Sequence, residues 1–292
     1  MAHFSVRESL IDPKSPTRRP RRAAYALPTL FTAGNIFLGF IAIVQAVEGA
    51  LLGNSGNLGE NSHFEAAAKA IGAAVVLDGL DGRIARLTNT VSDFGREMDS
   101  LADVITFGIA PAVLAYVWGV QFVDPGGFLH DHRAGYFLSF LFLLCGAVRL
   151  ARFNVQTNPI PRNPGRPDRK YFVGLPIPAA AGMVAAVVFA SGSEPLTYWI
   201  WSVLWLALLG VLSFLMVCTW RYPSFKQVNL TGPRSPLILI LFGALIYSIW
   251  NFAQPMLLAL SIAYVGSGIV LRIAGVLKRL RHSPAAPEQQ VG

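Results

Sequence analysis

The sequence predicts an all-α, polytopic membrane helix bundle, and three observations predict it. Of 292 residues, 53% are hydrophobic and only 14% charged, with a mean hydropathy of +0.49, whereas soluble domains carry about 25% charged residues. Apolar runs of about 20 residues, the length that crosses ~30 Å of hydrocarbon, recur from Leu27 almost to the C-terminus. The basic residues gather on alternate connections between those runs. Strand signals are absent throughout.

In chain order, the polar stretch from Met1 to Arg22 carries Arg18, Arg19, Arg21 and Arg22 and has neither an apolar core nor a small-residue cleavage site. Residues 1–24 therefore read as a disordered basic cytosolic tail rather than a signal peptide. Eight spans follow, at roughly 27–47, 64–87, 94–120, 135–154, 174–190, 198–219, 236–252 and 255–276. The connection 48–62 is rich in Gly and Asn and has no periodicity, which marks a turn region. The stretch 158–169 holds Pro159, Pro161, Pro164 and Pro167 among basic residues, so it is expected to be non-helical and to run along the headgroup surface. Residues 279–292 form a second polar tail. With the N-terminus cytosolic, the inside segments are the first tail, 88–93, 155–173, 220–235 and the last tail. Of the 24 Lys and Arg residues, only Arg133 and Lys69 then lie away from the inner face. Both termini are expected inside.

This distribution also decides what the net charge of +8 means. The cations belong to span ends and not to a separate basic module, which excludes nucleic acid as the expected partner and favours anionic membrane lipids. Cys145 and Cys218 lie inside apolar runs as small hydrophobes, with no spacing that suggests a zinc site or a disulfide framework.

Chemistry concentrates where the second span ends and the third begins. Asp78-Gly79-Leu80-Asp81-Gly82-Arg83-Ile84-Ala85-Arg86 is followed, eight residues later, by Gly95-Arg96-Glu97-Met98-Asp99-Ser100-Leu101-Ala102-Asp103. On helices, Asp78 and Asp81 lie within about 60° of each other and Asp99 and Asp103 within about 40°. Each helix thus offers a carboxylate pair on one face, and the short turn makes the two helices antiparallel neighbours whose pairs can converge near the cytosolic surface. One charge at mid-bilayer costs roughly 2.5–3.5 kcal/mol, and two carboxylates ~4 Å apart repel by about 4 kcal/mol even at an effective dielectric of 20. Four such groups stay ionised only around cations. An oxygen-only set suits hard divalent ions, and a two-metal site can hold both the attacking and the leaving oxygen of an in-line displacement at phosphorus. Gly82 and Gly95 remove side chains where a nucleotide, metal or backbone comes close, and Arg86 can neutralise a diphosphate oxygen. Asp93 and Glu97 lie off the paired face and read as helix-terminus residues, and Arg83 and Arg96 as headgroup or turn contacts.

Asp78, Gly79, Asp81, Gly82, Ala85 and Arg86, with Gly95, Asp99 and Asp103, match the fixed positions of the signature of the CDP-alcohol phosphotransferase family, which the chain resembles. The resemblance implies a six-helix catalytic core over residues 25–220 with two additional transmembrane helices over 221–278, a homodimer, an active site open to the cytosol in the cytoplasmic membrane, and cleavage of a CDP-linked donor with release of CMP. It implies that Asp78, Asp81 and Asp99 bind metal, two Mg²⁺ or Mn²⁺ per site, and that Asp103 both binds metal and serves as base for the acceptor hydroxyl. It further implies that Thr32, Gly82, Ala85, Arg86 and Gly95 shape the nucleotide or diphosphate site.

Four stretches outside the signature, at residues 27–40, 93–112, 149–154 and 172–180, are similar to the branch of the family whose donor is CDP-diacylglycerol and whose acceptor is L-serine. The residues agree with that acceptor. A zwitterionic amino acid needs a cation for its carboxylate and acceptors for its ammonium, and Arg149, Arg152 and Asn154 stand at a cytosolic helix end. Asn35 is a polar side chain in an apolar helix. Positive-inside anchoring is the competing role of Arg149 and Arg152. Two alternatives remain open at this point: a family member using glycerol 3-phosphate or an inositol phosphate, which needs a denser basic pocket, and a cation-coupled transporter, which needs broken helices in matching halves and releases no CMP.

Overall fold

The computed structural model describes residues 22–56, 62–87, 93–123, 132–157, 171–192, 194–223 and 235–281. Most of the two tails, the turn 88–92 and the proline-bearing stretch 158–170 lie outside the described residues. Within them the chain forms helices α1 (Arg22–Asn54), α2 (His63–Leu87), α3 (93–119), α4 (Arg133–Thr157), α5 (Ile177–Ala190), α6 (Trp199–Val217), α7 (Ser235–Asn251) and α8 (Ala253–Arg281). Each of the eight expected spans is a helix. Five are long and apolar enough to cross a membrane, at Leu30–Asn54, Phe94–Gly119, Arg133–Val155, Trp199–Val217 and Ala253–Gly275. Large apolar side chains such as Phe37, Phe137, Trp201 and Trp250 point outward, which is the arrangement of a bundle whose solvent is hydrocarbon.

Small residues bring the helices together. Ala42, Ala46 and Ala50 of α1 and Ala67, Ala70 and Ala74 of α2 are all buried, and Gly49 lies against the Phe64 ring. Between apolar helices in lipid, such close backbone approach supplies the dispersion contacts that hold the pair.

Helix α3 is not uniform. Asp93–Asp103 is α-helical, Val104–Ile109 is π-helical, and Ala110–Gly119 is α-helical again. The wide turn begins immediately after Asp103, and π-turns inside α-helices often mark functional positions. Thr106, fully buried, donates its hydroxyl to the Asn35 carbonyl of α1 at 3.0 Å. A Cβ on Gly39 would stand 2.6 Å from Thr106 Oγ1 and 2.8 Å from its Cα, so only glycine lets α1 approach the π-turn this closely. Gly39→Ala is therefore expected to destabilise the protein by about 1–3 kcal/mol, the range for overpacking, and to lower turnover by moving the turn that follows Asp103. Thermal unfolding in detergent and an activity assay on the same preparation check both effects.

Two expectations need correction. A short antiparallel ribbon exists, pairing β1 (Tyr171–Val173) with β2 (Arg221–Pro223) in the register Tyr171↔Pro223, Phe172↔Tyr222, Val173↔Arg221. Three residues per strand are too few for alternation to be readable, and the pairing comes from neighbouring bonds: Gly174 N–H donates to Trp220 O and Leu175 N–H to Leu215 O, both at 2.8 Å. The fifth span starts at Ile177 and not at residue 174. Gly174 has φ +79° and Pro176 ψ 138°, neither helical. The resulting 14-residue helix is about 21 Å long, shorter than a ~30 Å slab. The ribbon joins the connection before α5 to the one after α6, which places both at the same end of the bundle.

Candidate active site

The end of α2 and the start of α3 supply the four aspartates. Oxygens of Asp78, Asp99 and Asp103 lie within 4.8 Å of one another. Asp81 stands slightly apart, buried, where it accepts a hydrogen bond from Thr32 Oγ1 of α1 at 2.9 Å. Its charge still reaches those of Asp99 and Asp103. The helical spacing explains the geometry: three and four residues keep each pair on one face, and Thr32 ties the Asp81 carboxylate to α1. Thr32→Val removes the hydrogen bond while keeping the volume. Leaving a buried carboxylate oxygen without its donor costs about 1–3 kcal/mol, so a roughly tenfold or larger fall in turnover is expected, read by steady-state kinetics.

Asp103 is also buried, with Oδ1 enclosed and without a protein partner among the described residues. From α4, the buried Arg149 is drawn to it electrostatically, lies 5.9 Å from the Phe153 ring, and keeps its Nε without a partner among the described residues. Asn35 sits one turn after Thr32 on α1, also buried, with its Oδ1 unpartnered among the described residues. Such buried orphan atoms cost free energy unless a ligand, ion or water completes them. An oxygen-only set with one carboxylate oxygen left open fits a hard divalent cation and offers no soft ligand for zinc or copper.

The remaining expected residues divide. Gly82 is exposed near the end of α2, and Gly95 is half-buried on the first turn of α3. Ala85 and Arg86 lie on the last turn of α2, where side chains fall outside the described residues. Arg152 donates to the carbonyls of Val217 (2.9 Å) and Cys218 (3.4 Å), which ties α4 to the end of α6. Asn154 donates from Nδ2 to Ser100 Oγ at 2.7 Å, bracing α4 against the turn of α3 between Asp99 and Asp103. The structure thus gathers Arg149 with the carboxylates, leaves Asn35 one turn beyond the threonine that bonds Asp81, and gives Arg152 and Asn154 interhelical bonds. Ser100 and Thr106 were missed. Both are hydroxyls beside apolar or acidic positions on α3, the same signal that singled out Asn35.

Fold and site together define a multi-pass helical membrane protein with an acidic, oxygen-only cluster built across two consecutive helices. Residues 25–220 match the family described as CDP-alcohol phosphatidyltransferase, and the chain belongs to that family. It is 40% identical over 222 residues to the CDP-diacylglycerol–serine O-phosphatidyltransferase of Helicobacter pylori strain ATCC 700392 / 26695, covering 76% of this chain and 81% of that one. The protein of the same description from Bacillus subtilis is 32% identical over 203 residues, covering 69% and 92% of the two chains. An archaetidylserine synthase from Methanothermobacter thermautotrophicus is 36% identical over 163 residues, covering 55% and 57%.

Proposed function

We propose that this enzyme transfers the phosphatidyl group of CDP-diacylglycerol to the hydroxyl of L-serine, giving phosphatidylserine and CMP. The observation that carries the reading is the buried Asp103 carboxylate standing between the other aspartates and the Arg149 guanidinium. Asp78, Asp81, Asp99 and Asp103 would hold two Mg²⁺ or Mn²⁺ ions, which when bound supply positive charge to the diphosphate oxygens. Thr32 fixes the Asp81 carboxylate in that set. Asp103 takes the proton of the serine hydroxyl as its oxygen bonds to the lipid-side phosphorus and the bond from that phosphorus to the CMP oxygen breaks.

Arg149 favours a carboxylate-bearing acceptor. Arg152 commits its guanidinium to main-chain carbonyls, and among the described residues Arg149 is the cation whose charge reaches Asp103, which suits an acceptor carboxylate. The reading extends to residues 25–220 as the catalytic core, with Gly82, Ala85, Arg86 and Gly95 around the nucleotide and 221–278 as an added helical pair. It also extends to a homodimer in the cytoplasmic membrane, with termini and site facing the cytosol and basic tails against anionic headgroups. Purified protein given CDP-diacylglycerol and, in separate reactions, L-serine, glycerol 3-phosphate or an inositol phosphate tests it. Serine-dependent release of CMP is expected. Release with a phosphate-bearing acceptor and none with serine refutes the assignment.

A further inference from the structure

The segment of α3 that carries Asp99 and Asp103 is held differently from the rest of that helix. Residues Asp93–Asp103 pack on α1, whereas α4 packs along the π-turn Val104–Ile109 and the α-helical stretch after it. The π-turn interrupts the regular i→i−4 ladder immediately after Asp103, so the helix that follows does not by itself fix the direction of the segment before it. A hydrogen bond reaches that segment from α4: Asn154, in the last turn, donates from Nδ2 to Ser100 Oγ at 2.7 Å. The Ser100 hydroxyl is itself committed as a donor, to the Arg96 carbonyl one turn back at 3.0 Å. A hydroxyl has one proton and two lone pairs, so the two bonds settle each role: Ser100 gives its proton to Arg96 and accepts from Asn154. Back-bonding of a serine to the i−4 carbonyl also sets the local bend of a helix, here between Asp99 and Asp103.

We propose that Asn154 and Ser100 are positioning residues that set the affinity of the aspartate cluster for divalent cations, by pinning the first segment of α3 to α4. Oxygens of Asp78, Asp99 and Asp103 lie within 4.8 Å of one another, and like charges at this separation drive α3 away from α2 whenever no cation is bound. A cation then has to draw the two helix ends back together, and that reorganisation weakens its binding. The Asn154–Ser100 bond keeps the arrangement assembled beforehand. It joins an uncharged amide to an uncharged hydroxyl, so its contribution is one of placement. The inference rests on the reading of the aspartates as a divalent-cation site.

The test is a double-mutant cycle of Ser100→Ala and Asn154→Ala, read without turnover by titrating Mg²⁺ into chelator-treated protein in detergent and following the rise in unfolding temperature. Each single variant is expected to need about three to ten times more Mg²⁺ for half of that rise, the loss of one net hydrogen bond. The double variant should stay within about twofold of the singles, because both substitutions remove the same bond. A merely structural role lowers the metal-free unfolding temperature and leaves the half-effect concentration unchanged, and that pattern overturns the inference, as do effects that multiply in the double variant. A KM for serine that rises at saturating Mg²⁺ with an unchanged titration makes Asn154 an acceptor ligand and overturns it too. Should Asn154→Ala fail to accumulate, Ser100→Ala is compared with Ser100→Thr, which keeps the hydroxyl and is expected to stay within about twofold of wild type. Wild type that shows no Mg²⁺-induced rise refutes the cation reading and this inference with it, whereas a responsive wild type with indifferent variants refutes the inference alone.

Discussion

Asp103→Asn is expected to abolish turnover, by at least about 10³-fold, while the protein still inserts and purifies as wild type does. A positioned general base accounts for roughly 10²–10⁴ in rate, and the amide can neither take the hydroxyl proton nor give a cation the same charge. Asparagine has the shape of aspartate, so the packing that holds this position is retained: the π-turn that follows it, Thr106 on the Asn35 carbonyl, and the Gly39 approach. The variant also leaves Arg149 facing a neutral group in a buried setting, which adds to the loss without unfolding the bundle. CMP release under saturating serine, beside an equal yield of monodisperse protein, reads the outcome. Turnover within tenfold of wild type would show that another group accepts the proton. Asp103→Glu should fall between, since it keeps the carboxylate and moves it by about one bond.

Much of this was legible in the residues because membrane helices announce themselves by length and apolarity, and because carboxylates inside them are too costly to be incidental. The spacing of Asp78 and Asp81, and of Asp99 and Asp103, carried enough geometry to put each pair on one face, and three of the four meet within 4.8 Å. What escaped was set by contacts between distant segments. Arg152 looked like an acceptor ligand because a cation at a span end has no visible partner in sequence. Its partners are main-chain carbonyls of Val217 and Cys218, which carry no side-chain signature. The π-turn after Asp103 breaks the helical period by one residue over six, below what an apolar run of Val104, Ile105, Phe107 and Ile109 can reveal. The ribbon of β1 and β2 is fixed by Gly174, whose φ of +79° permits backbone bonds to both sides of the α6 terminus.

Removing divalent cations is expected to silence the enzyme completely and reversibly, and the same carboxylates make a second, activity-free readout available. Asp78, Asp99 and Asp103 repel one another at their separation within 4.8 Å, about 4 kcal/mol for a pair near 4 Å at an effective dielectric of 20. Without cations this repulsion pushes the end of α2 away from the start of α3. A ligand that binds only the folded state stabilises it by RT ln(1 + [L]/Kd), about 2.7 kcal/mol at a hundredfold excess over Kd. Mg²⁺ or Mn²⁺ added to chelator-treated protein should therefore raise the unfolding temperature by several degrees in parallel with the return of activity. Asp99→Asn separates the two contributions. It relieves repulsion, so the metal-free protein unfolds at or above the wild-type temperature, and it removes a ligand, so the increment on adding metal shrinks and activity falls by at least about 10²-fold, of the order that one such charged ligand contributes. Equal metal-induced shifts in the variant and wild type would mean that cations bind elsewhere. Activity that survives exhaustive chelation would leave the buried carboxylates without their counter-charge, and the displacement chemistry proposed for them would have to be abandoned.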